Sequence, residues 1–138
     1  MQYSNSMKNS FFATVFGFAA ISFIIASCTN GPGTGGKASI EGVIKATRYV
    51  NNCTTNAGSF LAEDEDVYLV YGDDPSYGDR VKTGPGGVFY FKYLRPGKYK
   101  VYAYSTTCTV AQKLAVIMEV EITDKNQALV TDTLRIDK

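Results

Sequence analysis

The stretch Thr83 to Ala103 reads TGPGGVFYFKYLRPGKYKVYA. In its first arm Phe89 and Phe91 alternate with Val88, Tyr90 and Lys92. In its second arm Tyr99, Val101 and Ala103 alternate with Lys98, Lys100, Tyr102 and Tyr104. Alternation with a period of two places one set of side chains on a buried face and the other toward solvent. Between the arms lies Leu94-Arg95-Pro96-Gly97-Lys98, where Pro presets φ and Gly accepts positive φ. The reading is two strands joined as a hairpin, entered through the punctuation of Gly84, Pro85, Gly86 and Gly87. Aromatic and β-branched residues dominate, and no stripe with a 3.6-residue period competes.

Outward from this hairpin, further segments read as strands. Ser39 to Val50 carries Ile40, Gly42 and Ile44 on one parity. Val67 to Tyr71 turns Val67 and Leu69 inward, and Arg80 to Thr83 reads as a short strand. Leu114 to Thr123 places Val116, Met118, Val120 and Ile122 together, against Glu119 and Glu121. Ala128 to Ile136 is the last, with Leu134 and Ile136 inward and Asp132 on the same parity, which calls for a bulge or an edge. Asn51 to Ser59 and Gly72 to Asp79 read as polar loops. About seven short strands separated by turn signals predict an all-β, antiparallel β-sandwich over residues 39–138.

The first 27 residues have a different character. Lys8 precedes an apolar run from Phe11 to Ala26, too short for the roughly 20 residues of a membrane span. A charged start, a short apolar core and small residues at its end describe a secretory signal peptide, expected to be helical. It closes on Ile25-Ala26-Ser27-Cys28, which resembles the signal of bacterial lipoproteins. The resemblance implies cleavage before Cys28, a diacylglycerol on its thiol and an acyl chain of the palmitate kind on its amine. Several chains anchor a protein stably where one does not. Thr29 follows the cysteine where Asp would favour inner-membrane retention, so the expected address is the cell envelope, at the outer membrane rather than the inner. Residues 28–38, rich in Gly and Pro, read as a flexible tether.

The motifs Ile40-x-Gly42-x-Ile44, Val67-x-Leu69 and Thr83-x-x-x-Gly87-x-Phe89-x-Phe91-x-x-Leu94-x-Pro96-Gly97-Lys98-Tyr99-x-Val101-x-Ala103 resemble the carboxypeptidase regulatory-like family. That family has a transthyretin-like or CNA-B-like sandwich. The resemblance implies a non-catalytic accessory or binding module. It departs from the family's common pattern at Glu65 and Gly84.

Composition narrows the function classes. There is no His, which removes the commonest general base and metal ligand. Removing the leader takes away only Lys8 and leaves 13 basic against 13 acidic side chains, a neutral balance that argues against nucleic acid as partner. The acidic runs Glu63 to Asp66 and Asp73 to Asp79 match no calcium-loop spacing and read as a charged face. No catalytic residue, cofactor or metal site is expected.

Two cysteines remain, Cys53 and Cys108. An exported chain meets an oxidising compartment, where such a pair forms a disulfide. If neighbouring strands alternate in direction, both cysteines fall at the same end of the sandwich, away from the tether. The loops of that end, Asn56 among them, are candidates for contact with an envelope protein. Tyr68, Tyr90, Tyr102 and Tyr104 share the outward parity and would make either a glycan-binding face or structural cross-strand pairs. Lys92, Arg95, Lys98 and Lys100 form a basic patch at the tethered end.

Overall fold

One strand touches every other strand of its sheet. In the computed structural model, which describes residues 31–106 and 112–138, strand β1 covers Thr34–Val50. Its first half pairs with β5 (Val88–Leu94) and β8 (Ala128–Val130). Its second half pairs with β2 (Thr55–Leu61) and β9 (Leu134–Asp137). The second sheet runs β4 (Asp79–Lys82), β3 (Asp66–Tyr71), β6 (Gly97–Thr106), β7 (Lys113–Ile122). A short 3-10 turn, Pro85–Gly87, leads into β5. The sheets pack face to face as an all-β sandwich.

The core follows the alternation. Ile40 and Ile44 of β1, Val67 and Leu69 of β3, Phe89 and Phe91 of β5, and Tyr99, Val101 and Ala103 of β6 are all buried, with Ile122, Leu134 and Ile136 closing the edges. Each fully buried Val, Leu, Ile or Phe side chain stabilises by about 1.5–3 kcal/mol relative to exposure. Gly42 shares this parity because the Phe89 ring and Thr131 Oγ1 occupy the place of a Cβ.

The structure corrects the sequence reading in four places. First, β5 and β6 are not a hairpin. They belong to different sheets and do not pair with each other. Both bury their apolar parity toward the same core, so the Leu94–Gly97 turn arches across the sandwich. Alternation is identical for a hairpin and an arch, and only pairing partners separate them.

Second, the described residues form nine strands, and β1 runs parallel to β8 and β9. β2 and β5 run opposite to β1, but β8 and β9 both run with it. The expected last strand is broken at Thr131–Thr133, which leaves Asp132 exposed between β8 and β9.

Third, part of the expected loop Asn51 to Ser59 is strand. Asn51, Asn52 and Cys53 take positive φ at the turn, and β2 returns along β1 with every residue exposed. A strand wet on both faces has no alternation to read.

Fourth, residues 31–38 are not a free tether. Thr34 already belongs to β1, and Gly33 and Ala38 are buried. Arg95 N–H donates to Gly33 O at 2.9 Å, Arg95 Nε donates to Gly31 O at 3.0 Å, and Gly33 N–H donates to Tyr99 Oη at 2.9 Å. Pro32 lies against the bare Cα of Gly97, where a Cβ would come to 2.8 Å. Glycine content signalled flexibility, but here glycine permits close backbone approach.

Candidate functional site

The outer face of the β4-β3-β6-β7 sheet gathers four tyrosines. With Val67 and Leu69 inward, β3 turns Tyr68 out; with Val101 and Ala103 inward, β6 turns Tyr102 and Tyr104 out. The register places Arg80, Tyr68, Tyr102 and Ile117 in one row across the four strands. The Tyr68 and Tyr102 rings stack, with centroids 4.9 Å apart and planes at 11°. Tyr104 stands edge-on to both, 5.6 Å from each. Tyr77 arrives from the β3–β4 loop and meets Tyr68 at 5.0 Å and 64°. That loop is folded back by the Gly78 N–H, which donates to Leu69 O at 2.8 Å, and by packing of the Gly78 Cα on the Tyr71 ring.

Charge surrounds the cluster. Arg80 Nε lies 3.7 Å from Asp66, Lys82 Nζ 2.8 Å from Asp64, and Lys100 Nζ 2.8 Å from Asp73. Hydrogen bonding to Tyr68, then the charge of Asp66, holds the Arg80 guanidinium above its usual range. The Lys100 ammonium, hydrogen-bonded to Asp73, holds that carboxyl below its usual range. Burial, then the proximity of Tyr104, pushes the Tyr102 hydroxyl up to about 12. Tyr102 therefore remains a neutral phenol, able both to donate and to accept a hydrogen bond. Beside the cluster, Lys98 and Lys100 of β6 face Glu121 and Glu119 of β7 along a shallow open groove.

Of the residues singled out from sequence, the structure brings together Tyr68, Tyr102 and Tyr104. Tyr90 is elsewhere. It lies on β5 in the other sheet, where its hydroxyl donates to Ser39 Oγ at 3.3 Å and its ring carries Lys92 Nζ at 4.8 Å. The hairpin reading had placed Tyr90 and Tyr102 on one surface; the arch separates them. Asn56 is on β2, its Oδ1 accepting the Gly58 N–H at 2.7 Å beside a bulge opposite Arg48. The expected basic patch is divided as well, since Lys100 is held by Asp73.

Tyr77 was missed because periodicity does not place a loop side chain; its only signal was the pair of glycines, Gly72 and Gly78, that bracket the loop. Cys53 sits in the β1–β2 turn and is not a free thiol. The leader, Cys28 and Cys108 lie outside the described residues. Among the described residues no group of three or more acidic or cysteine side chains could hold a metal ion.

No family model matches the chain, and no curated protein matches it. Among solved structures it is similar to a crystal structure from Pseudomonas aeruginosa described as "a putative carbohydrate binding protein", at 11% identity and a TM-score of 0.44, over 77% of this chain and 91% of that one. A likeness of that degree assigns this chain no ligand.

Proposed function

We propose that this protein is a lipid-anchored cell-envelope binding module, of the carboxypeptidase regulatory-like kind, whose tyrosine face recognises carbohydrate. The observation that carries this reading is the convergence of Tyr68, Tyr77, Tyr102 and Tyr104 on one sheet face. The stacked Tyr68 and Tyr102 rings form a platform whose hydroxyls are fixed by hydrogen bonds to Arg80 and Tyr104. Tyr77, half exposed, supplies an open ring. Phenol rings beside an apolar Ile117 suit a polyhydroxylated, uncharged ligand, which offers both C–H faces and hydroxyls. The module works by binding and has no catalytic role in this reading.

Binding of the mature protein to arrayed neutral glycans tests it. Tyr77→Ala and Tyr68→Ala should each abolish retention, and Tyr90→Ala, on the other sheet, should not. Retention unchanged in both tyrosine-face variants would refute the glycan reading.

A second reading has its own observation. The β1–β2 hairpin exposes Val50, Phe60 and Leu61, and β2 has neither charge nor proline to guard its edge. Such a hairpin suits docking on a larger envelope protein. In-cell photo-crosslinking from Asn56 separates the two readings, since a single abundant protein adduct favours docking. The anchor at Cys28 and the Cys53–Cys108 disulfide belong to the same proposal. The β6 end that leads toward Cys108 lies beside the β1 end that leads toward Cys53, because Ser105 Oγ accepts the N–H of Asp137, whose register partner is Thr47. Two alkylatable thiols in the unreduced protein would sink the pairing.

A further inference from the structure

We infer that the end of the sandwich formed by Gly31–Lys37 and the Lys92–Lys98 arch seats directly on an anionic lipid bilayer, with Tyr93 in the headgroup layer. The inference rests on the proposed acylation of Cys28 and says how that anchor is used.

The first support is chain length. The backbone is held at Gly31 by Arg95 Nε and at Gly33 by Arg95 N–H and Tyr99 Oη. Only three peptide steps separate Gly31 from Cys28, a reach of about 11 Å at most. A free segment through residue 38 would have let the domain stand far off the membrane. The clamp shortens the leash to the span of a lipid headgroup layer and fixes which end of the domain faces down.

The second support is Tyr93. Strict alternation after Phe89 and Phe91 would turn position 93 into the core. Instead Tyr93 takes a φ of 60°, a conformation unusual for a bulky residue, and the parity resets so that Leu94 is buried and Tyr93 is 71% exposed. The backbone is bent to place an aromatic ring in solvent beside the clamp. A ring with a polar tip is the side chain that prefers the water–bilayer boundary.

The third support is charge. Exposed Lys37 sits in the β1 bulge between Thr34 and Ala38, both registered to Leu94. Exposed Lys92 and half-buried Arg95 flank the same turn. Lys98 faces Glu121 across β6 and β7 and Lys100 is held by Asp73, so among the described residues Lys37, Lys92 and Arg95 are the cations of this end outside any ion pair, with Asp74 of the β3–β4 loop as the nearby opposing charge. Cations close to the surface are drawn to anionic headgroups.

The chain contains no Trp, so Tyr93→Trp in the full-length protein, matured in cells and reconstituted into vesicles, makes a unique reporter. Lys92→Trp gives a second reporter at the same end, and Phe60→Trp one on the β1–β2 hairpin. With phosphatidylethanolamine and phosphatidylglycerol brominated near the top of their acyl chains, Trp at 93 or 92 should shift to the blue and lose most of its emission, and Trp at 60 should keep it. Replacing phosphatidylglycerol with phosphatidylcholine should weaken the quenching at 93; equal quenching would overturn the anionic preference. Intact mass of the reconstituted protein separates the failures. Acyl chains present with reporters 92 and 93 as bright as 60 would overturn the seating alone. Acyl chains absent would overturn the anchor and the seating together.

Discussion

The Tyr99 hydroxyl accepts the Gly33 N–H at 2.9 Å and itself donates to Arg95 O, so one side chain joins the N-terminal strap to the arch between the sheets. Tyr99→Phe keeps the ring and its edge-on contact with Tyr71 at 6.0 Å but leaves a buried N–H without its acceptor. The expected loss is about 1–3 kcal/mol in denaturant unfolding. Amide exchange at Gly33 should accelerate more than exchange in β3. An unchanged Gly33 rate would mean that the strap is held without Tyr99.

Three tyrosines predict weakness toward alkali. Burial raises the hydroxyls of Tyr71 and Tyr99 above the ordinary value of 10.0, and burial with Tyr104 nearby takes Tyr102 to about 12. Each folded phenol holds its proton more tightly than the unfolded one. Their contribution is therefore complete below about pH 10, and it is lost as pH rises through the folded values, near 12 for Tyr102. Urea midpoints measured across this range should fall with increasing pH. Tyr102→Phe should flatten the fall, and phenolate absorbance should show the wild-type group titrating late.

Two glycines of the opening motif should differ sharply in tolerance. At Gly87, φ is +68° and a Cβ would come to 2.6 Å from Ile44 O and 3.0 Å from Ala62 N, both backbone atoms. Gly87→Ala should cost more than the roughly 1–3 kcal/mol of ordinary overpacking. At Gly84 a Cβ meets only Val88 O at 3.9 Å, with no positive φ. Gly84→Ala should stay within about 0.5 kcal/mol, as surface changes do. Thermal unfolding of the pair decides it.

Thr83 is a polar residue in a buried position, 4% exposed. Its hydroxyl accepts the Glu65 N–H at 2.9 Å and donates to Ala62 O at 2.6 Å, pinning the approach to β3. Thr83→Val preserves shape and removes both bonds, for an expected loss of about 1–3 kcal/mol; Thr83→Ser should recover most of it. Equal stability of the Val and Ser variants would contradict this role.

The stretch that begins at Thr83 shows what a single sequence reveals and what it withholds. Period two sorted Phe89, Phe91, Tyr99, Val101 and Ala103 inward, and all five are buried. The arch stayed hidden because pairing is a relation between distant segments, and β5 chooses β1 rather than its chain neighbour. Tyr68, Tyr102 and Tyr104 were legible as one face because β3 and β6 do pair. Tyr90 was assigned to that face by the mistaken hairpin. Tyr93 broke the alternation through a positive φ that no side-chain pattern announces for a tyrosine. Pro32 and Gly33 were read through composition, which records what a chain is free to do and not what Tyr99 does to it.

The parallel pairing of β1 with β9 joins Lys45 to Arg135 and Thr47 to Asp137, nearly the whole domain apart in sequence. Loop-closure entropy has to be met before such contacts form, which places this topology among slow folders. A ribosome delivers β1 first and β9 last. Until β9 emerges, β1 has an open side, and no fragment that lacks β9 can form the complete sheet. The first strand of the domain is among the last to be satisfied, so its sheet closes only once β9 has been made.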